Sequence, residues 1–136
     1  GVAEVLSQDE ARDVFLLAVG SLAGVALAAA DQIRAAGHGV TVVDPRWVKP
    51  IDPAALELAS HHRLVATVED NGRQGGIGST FARALQDEGF SGRVQVHAVD
   101  QRFLQHAKRD VVLADHGLTP DAIAASVLEQ LAAEER

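Results

Sequence analysis

Cysteine, methionine and tyrosine are absent from this sequence, and one tryptophan with four phenylalanines makes up its whole aromatic content. Without cysteine there is no disulfide framework and no thiolate nucleophile, and a cytoplasmic setting is expected. Long hydrophobic runs are missing too. No apolar stretch approaches the roughly 20 residues of a membrane span, so no membrane partner is expected, and no signal peptide is read at the start. Positive charge is scarce: 12 Lys and Arg stand against 19 Asp and Glu, for a net charge of −7. A nucleic-acid partner needs a basic face from which counterions are released, so that class is excluded. The missing methionine gives the expectation of a domain excised from a longer chain, with Gly1 as a cloning remnant.

What is present suits small-residue packing of helices on a sheet. Of the 136 residues 47% are hydrophobic, with Ala, Val and Leu dominant, enough for one domain over residues 1–136. Val2 to Leu6 reads as an edge strand, antiparallel if it joins the sheet, and Ser7 to Asp13 as a polar loop. Val14 to Val19 is wholly apolar and too short for a helix, which predicts a central strand. Gly20 breaks it, and Ser21 is the expected N-cap of a helix from about Leu22 to Ala36, stopped by Gly37. Val40 to Val43 is a second buried strand. Arg46 to Lys49 is expected to stay extended ahead of Pro50. Asp52 caps a short helix with Pro53 at its first position, running to about Ser60. Val65 to Val68 is a further strand, expected to end at Glu69-Asp70-Asn71. Ile77 to Asp87 is helical, Val94 to Val99 a strand, and Arg109 to Asp115 a short helix. Thr119-Pro120 opens the last helix. Alternating strands and helices predict an α/β fold, a three-layer αβα arrangement around a mostly parallel sheet of about five strands.

The stretch Val65 to Ser79 is the most informative. Behind the strand, four glycines fall within seven residues, Gly72 to Gly78, and then Ile77, Phe81, Ala82 and Leu85 recur at helical spacing. Strand, glycine loop and helix form the turn that α/β domains place at the carboxyl edge of the sheet, where ligands or partners bind. Backbone N–H groups at such a helix start favour an anion. The third glycine of a dinucleotide fingerprint and the Lys-Ser or Lys-Thr of a P-loop are both missing, however. The other reading is a tight turn that lets the helix pack close to the sheet or to another chain. If Gly76 holds a positive φ, a β-branched residue there costs about 1–3 kcal/mol.

Candidate interface or anion-loop residues are therefore Glu69, Asp70, Arg73, Gly75, Gly76 and Gly78. Glu69 and Asp70 are neighbours on a strand end and face opposite ways, so an acid–base pair on one substrate is not expected. Hydrogen bonding to loop N–H groups or to a partner surface is the plainer role. Arg46 and Trp47 are candidate interface residues, because Arg and Trp are enriched at interface centres; the alternative is a tryptophan that covers the core edge. His38, His61, His62, His97, His106 and His116 show no metal-ligand spacing. Ser21 lies in no Gly-x-Ser-x-Gly elbow. No catalytic, cofactor-binding or metal-binding residue is assigned.

The runs Leu17-Ala18-Val19-Gly20-Ser21, Val42-Val43-Asp44-Pro45-Arg46-Trp47-Val48-Lys49-Pro50 and Val68-Glu69-Asp70-Asn71-Gly72 with Gly75-Gly76-Ile77-Gly78-Ser79 resemble the C-terminal, third domain of the transketolase superfamily. Arg102-Phe103-Leu104, His106-Ala107, Val112-Leu113-Ala114 and Gly117-Leu118-Thr119 follow in the same order, and the likeness runs from about Val2 to Leu131. It is greatest to the branch that forms 1-deoxy-D-xylulose 5-phosphate, and Asp44 to Pro50 is the segment that points there. Asp100-Gln101 stand where that branch usually has a proline, so no contact is carried over through that loop. The resemblance implies a homodimeric enzyme dependent on thiamine diphosphate and magnesium. It would condense pyruvate with glyceraldehyde 3-phosphate, releasing carbon dioxide, to supply isoprenoid, thiamine and pyridoxal phosphate synthesis. It implies that the cofactor sits between the first two domains. The third supports the dimer and the active-site architecture, and by itself is inactive and holds no cofactor.

Two other readings stay open on the residues alone. One is a regulatory module holding a phosphorylated effector at Gly72 to Ser79 near Arg73. The other is a free-standing flavodoxin-like or dinucleotide-binding enzyme.

Overall fold

The computed structural model describes residues 2–46, 51–72, 76–99, 109–115 and 117–135. Five strands, β1 (Glu4–Gln8), β2 (Val14–Ala18), β3 (Val40–Asp44), β4 (Leu64–Gly72) and β5 (Arg93–Val99), form one sheet in the order β1-β3-β2-β4-β5. β1 runs antiparallel to β3, and the other pairs are parallel. The helices are α1 (Ala23–Ala35), α2 (Pro53–Ser60), α3 (Ile77–Asp87), α4 (Arg109–Asp115) and α5 (Pro120–Glu134). This is the expected three-layer αβα architecture.

The central strands are buried on both faces, which is why β2 reads as an unbroken apolar run. Leu16, Val42, Leu64, Ala66 and Val68 pack with α1 and α5 residues such as Ile33 and Leu131. Phe15, Leu17, Val43 and Val65 pack on the other face with Ala55 and Ala59 of α2 and with Phe81 and Leu85 of α3. Alternation along β4 therefore sends Leu64, Ala66 and Val68 one way and Val65 the other. Thr67 and Glu69 continue the row of Val65 toward α3.

Local chemistry sets several helix ends. Asp52 Oδ1 accepts the Ala54 N–H at 2.9 Å and Pro53 follows it at the first helical position. Thr119 Oγ1 accepts the Ala122 N–H at 3.2 Å. After α1, Gly37 takes a φ of +98°, and its N–H donates to the Arg34 carbonyl at 2.9 Å.

Four local expectations are corrected. The edge strand is Glu4–Gln8, not Val2 to Leu6, because pairing of Ser7 with Val42 and Gln8 with Thr41, past a bulge after Val5, decides its extent. Ser21 does not cap α1. A 3-10 turn over Gly20–Leu22 leads into the helix, whose N-cap position is Leu22 with no side-chain cap. β4 does not end at Glu69; it runs to Gly72, which pairs with Val99 after a shift of register beyond Val68. Arg46 is not extended. It holds a φ of +64°, and its N–H donates to Asp44 Oδ1 at 2.8 Å, closing a tight turn. Trp47 to Pro50 lie outside the described residues.

Candidate functional site

The carboxyl ends of β3 and β4, together with the first turn of α3, carry the described residues singled out in the sequence. Gly76 occupies the N-cap of α3 with φ −78° and ψ 169° and has no side chain to cap the helix. That duty falls to Glu69 on β4. Its Oε2 accepts the Ile77 N–H and its Oε1 accepts the Gly78 N–H, both at 2.9 Å. The glutamate is completely buried. Burial raises its pKa, the N–H bonds from Gly78 and Ile77 oppose the rise, and the nearby Asp70 charge adds to it. Two oxygens each accepting one N–H is the pattern of an ionised carboxylate at a helix N-terminus.

Gly78 is needed here for space. A Cβ on it would stand 2.5 Å from Thr67 Oγ1 and 2.8 Å from both Glu69 Oε1 and Val96 Cγ1. α3 thus lies directly on β4 and β5 at its first turn. The conformational requirement expected of Gly76 is absent, since its φ is negative. Thr67 was not singled out in the sequence, where it is one residue of an apolar strand. Its Oγ1 is buried and has no hydrogen-bond partner among the described residues. Arg73 and Gly75 lie outside the described residues. Asp70 is half-buried.

On the other side of this edge, Arg46 donates to Glu4 Oε2 at 2.5 Å, with both side chains about half exposed. Glu4, Val19, Gly20, Asp44, Pro45 and Arg46 line an open cleft of about 320 Å³. Its charged groups are already partnered within the chain, Arg46 with Glu4 and Asp44 with the Arg46 N–H.

His62, one of the six histidines without metal-ligand spacing, was not singled out in the sequence. It is 4% exposed. Its Nδ1 lies 2.9 Å from the Leu58 carbonyl and its Nε2 lies 2.9 Å from Thr41 Oγ1. A carbonyl only accepts, so Nδ1 carries the proton and Nε2 accepts from the Thr41 hydroxyl. Burial lowers its pKa. The two titratable side chains buried among the described residues, Glu69 and His62, thus have their polar atoms engaged within the chain.

Among the described residues no group of His, Asp and Glu could hold a metal ion. No described helix is long and apolar enough to cross a membrane. Of the carboxylates at the carboxyl edge, Glu69 is turned inward onto the first turn of α3, whereas Asp44 and Glu4 serve the Arg46 turn and its ion pair.

Residues 1–123 match the family described as "Transketolase, C-terminal domain". The 1-deoxy-D-xylulose-5-phosphate synthase of Parafrankia sp. (strain EAN1pec) is 50% identical over 121 residues, covering 89% of this chain and 19% of that protein. Streptomyces coelicolor 1-deoxy-D-xylulose-5-phosphate synthase 1 is 50% identical over 135 residues, covering 99% of this chain and 21% of that protein. The chain thus spans about a fifth of the length of these curated relatives. A solved structure described as "Split gene transketolase, inactive beta4 tetramer" superposes with a TM-score of 0.81 at 31% identity, over 93% of this chain and 41% of that one. Transketolase from Campylobacter jejuni gives a TM-score of 0.66 at 19% identity, over 93% of this chain and 18% of that one, a likeness of fold alone.

Proposed function

The chain belongs to the transketolase C-terminal domain family, and from that premise we propose that it serves as the third domain of a 1-deoxy-D-xylulose-5-phosphate synthase. In this reading the complete enzyme joins pyruvate to glyceraldehyde 3-phosphate with loss of carbon dioxide, in the cytoplasm. Thiamine diphosphate and magnesium supply the carbanion chemistry from a site in the first two domains. This domain takes no part in bond making. It packs against those domains and supports a homodimer, presenting Arg46, Trp47 and the Gly72 to Ser79 turn.

The observation that carries the proposal is the state of the carboxyl edge. An α/β domain that acts alone leaves reactive groups open there. Here Glu69 is consumed in capping α3 and Arg46 in pairing Glu4. The same observation weakens the regulatory alternative, since the Ile77 and Gly78 N–H groups that would cradle an effector phosphate already serve Glu69.

Calorimetric titration of the purified chain with thiamine diphosphate and magnesium tests the reading. No heat and no product from pyruvate and glyceraldehyde 3-phosphate are expected from the chain alone. Activity is expected when it is co-expressed with the two domains that precede it in its relatives. Saturable cofactor binding by this chain would overturn the division of labour.

A further inference from the structure

A helix N-terminus bears unpaired N–H groups and the positive end of the helix dipole. In α3 that end faces inward. The Ile77 and Gly78 N–H groups point at the sheet and end on Glu69, each at 2.9 Å. A further polar group stands unused beside them. Thr67, two residues before Glu69 on the same face of β4, is 0% exposed, and its hydroxyl has no partner among the described residues. Both the hydroxyl and Glu69 Oε1 crowd the same point, the place a Cβ on Gly78 would take. A buried hydroxyl left unsatisfied beside two engaged N–H groups is a spare donor aimed into an anion pocket.

We propose that the first turn of α3 is an anion-binding site whose resident ligand is the chain's own Glu69, and that the site selects a planar carboxylate over a phosphate. Selectivity follows from space and donor number. Gly78 lies too close to Thr67 and Val96 to admit even one added carbon, so the pocket ends where the carboxylate ends. Phosphate brings four oxygens and a larger charge to two N–H groups and one hydroxyl, which leaves it under-solvated once buried. The glutamate therefore keeps the Ile77 and Gly78 N–H groups closed to phosphorylated effectors, while giving α3 the cap that Gly76 lacks.

Truncation of Glu69 to alanine deletes a fragment of the size of acetate, which makes acetate the probe. Glu69→Ala is refolded and melted in increasing acetate, in chloride at matched ionic strength, and in inorganic phosphate. The expected result is a melting temperature lower by roughly 5 °C or more than the parent's. Acetate recovers it saturably, chloride and phosphate do not, and the parent chain responds to none of them. An unchanged melting temperature, absence of an acetate-specific recovery, or better recovery by phosphate overturns the proposal. If Glu69→Ala does not fold, the isosteric Glu69→Gln decides. Its amide sets a donor against one of the two N–H groups, so a melting temperature equal to the parent's overturns the proposal and a lowered one supports it.

Discussion

Phe15 on β2 and Phe81 on α3 stack with ring centroids 6.1 Å apart and planes only 4° from parallel. Both rings are buried, and the opposite flank of this cluster is closed by His62, whose ring meets Phe15 at 64° with centroids 5.4 Å apart. The stack fastens the middle of α3 to the sheet, as Glu69 fastens its start. Phe81→Ala is expected to destabilise the chain by about 3–5 kcal/mol through lost burial and the cavity left behind. Phe81→Leu, which keeps most of the volume, costs about 1 kcal/mol. Urea unfolding of both variants checks this, and equal losses would show that ring volume is not what holds α3.

The two glycines at the head of α3 separate a conformational from a spatial requirement. Gly76 has φ −78° and ψ 169°, extended backbone open to any residue. Gly78 sits where an added Cβ meets Thr67, Glu69 and Val96 at 2.5–2.8 Å. Gly78→Ala should cost about 1–3 kcal/mol from overpacking, and Gly76→Ala less than that. Thermal melts of the pair test it, and a Gly76 variant weaker than the Gly78 variant would refute the geometry.

These contrasts mark what was legible in the sequence. The β2 run, the Asp52-Pro53 and Thr119-Pro120 caps and the helical spacing of Ile77, Phe81 and Leu85 are local signals, and each element stands where they put it. The carboxyl-edge position of the glycine turn followed from strand–loop–helix order. Which carboxylate of Glu69-Asp70 is buried depends on β4 continuing to Gly72, a matter of pairing with β5 and not of composition. The close approach that demands glycine at 78 needs three chain segments in place. The burial of His62 gave no signal because it is decided by Phe15 and Thr41, both distant in sequence, and the strand pattern that buries Thr67 does not say that its hydroxyl goes unpaired. Arg46 was read as extended because Pro50 was the only visible constraint, whereas the Asp44 carboxylate makes the turn.

His62 gives stability a pH dependence of defined sign. Its folded pKa lies below the ordinary value of 6.5, chiefly through burial, with Arg12 and His61 adding repulsion and hydrogen bonding to Leu58 opposing them. Above 6.5 the ring is neutral in both states and its contribution is intact. As pH falls the unfolded chain takes up the proton first, so stability drops until the folded pKa is passed. Glu69, raised by burial against the opposing Gly78 and Ile77 N–H bonds, acts in the opposite sense: only the pH-linked part of its contribution, fullest below the ordinary carboxylate range, falls as pH rises through its folded pKa, and the N–H bonds of the ionised cap remain. Urea midpoints compared at about pH 7.5 and about pH 5.5 should therefore fall less for His62→Gln than for the parent. An equal fall in both would assign the slope to other groups.

Arg46 stands at φ +64°, a conformation glycine adopts without the steric cost an L side chain meets. Its half-exposed ion pair with Glu4 is screened by solvent and contributes little, so its loss is offset by the strain that glycine would relieve. Arg46→Gly should therefore leave the stability of the chain within about 1 kcal/mol of the parent. Under the proposed function the guanidinium then serves the subunit surface and not the fold. In the complete enzyme the same substitution is expected to weaken the dimer, read as a rise in the dissociation constant by sedimentation, while Arg46→Lys, which keeps the charge, loses less. A dimer as tight as the parent's, together with unchanged chain stability, would remove Arg46 from the interface.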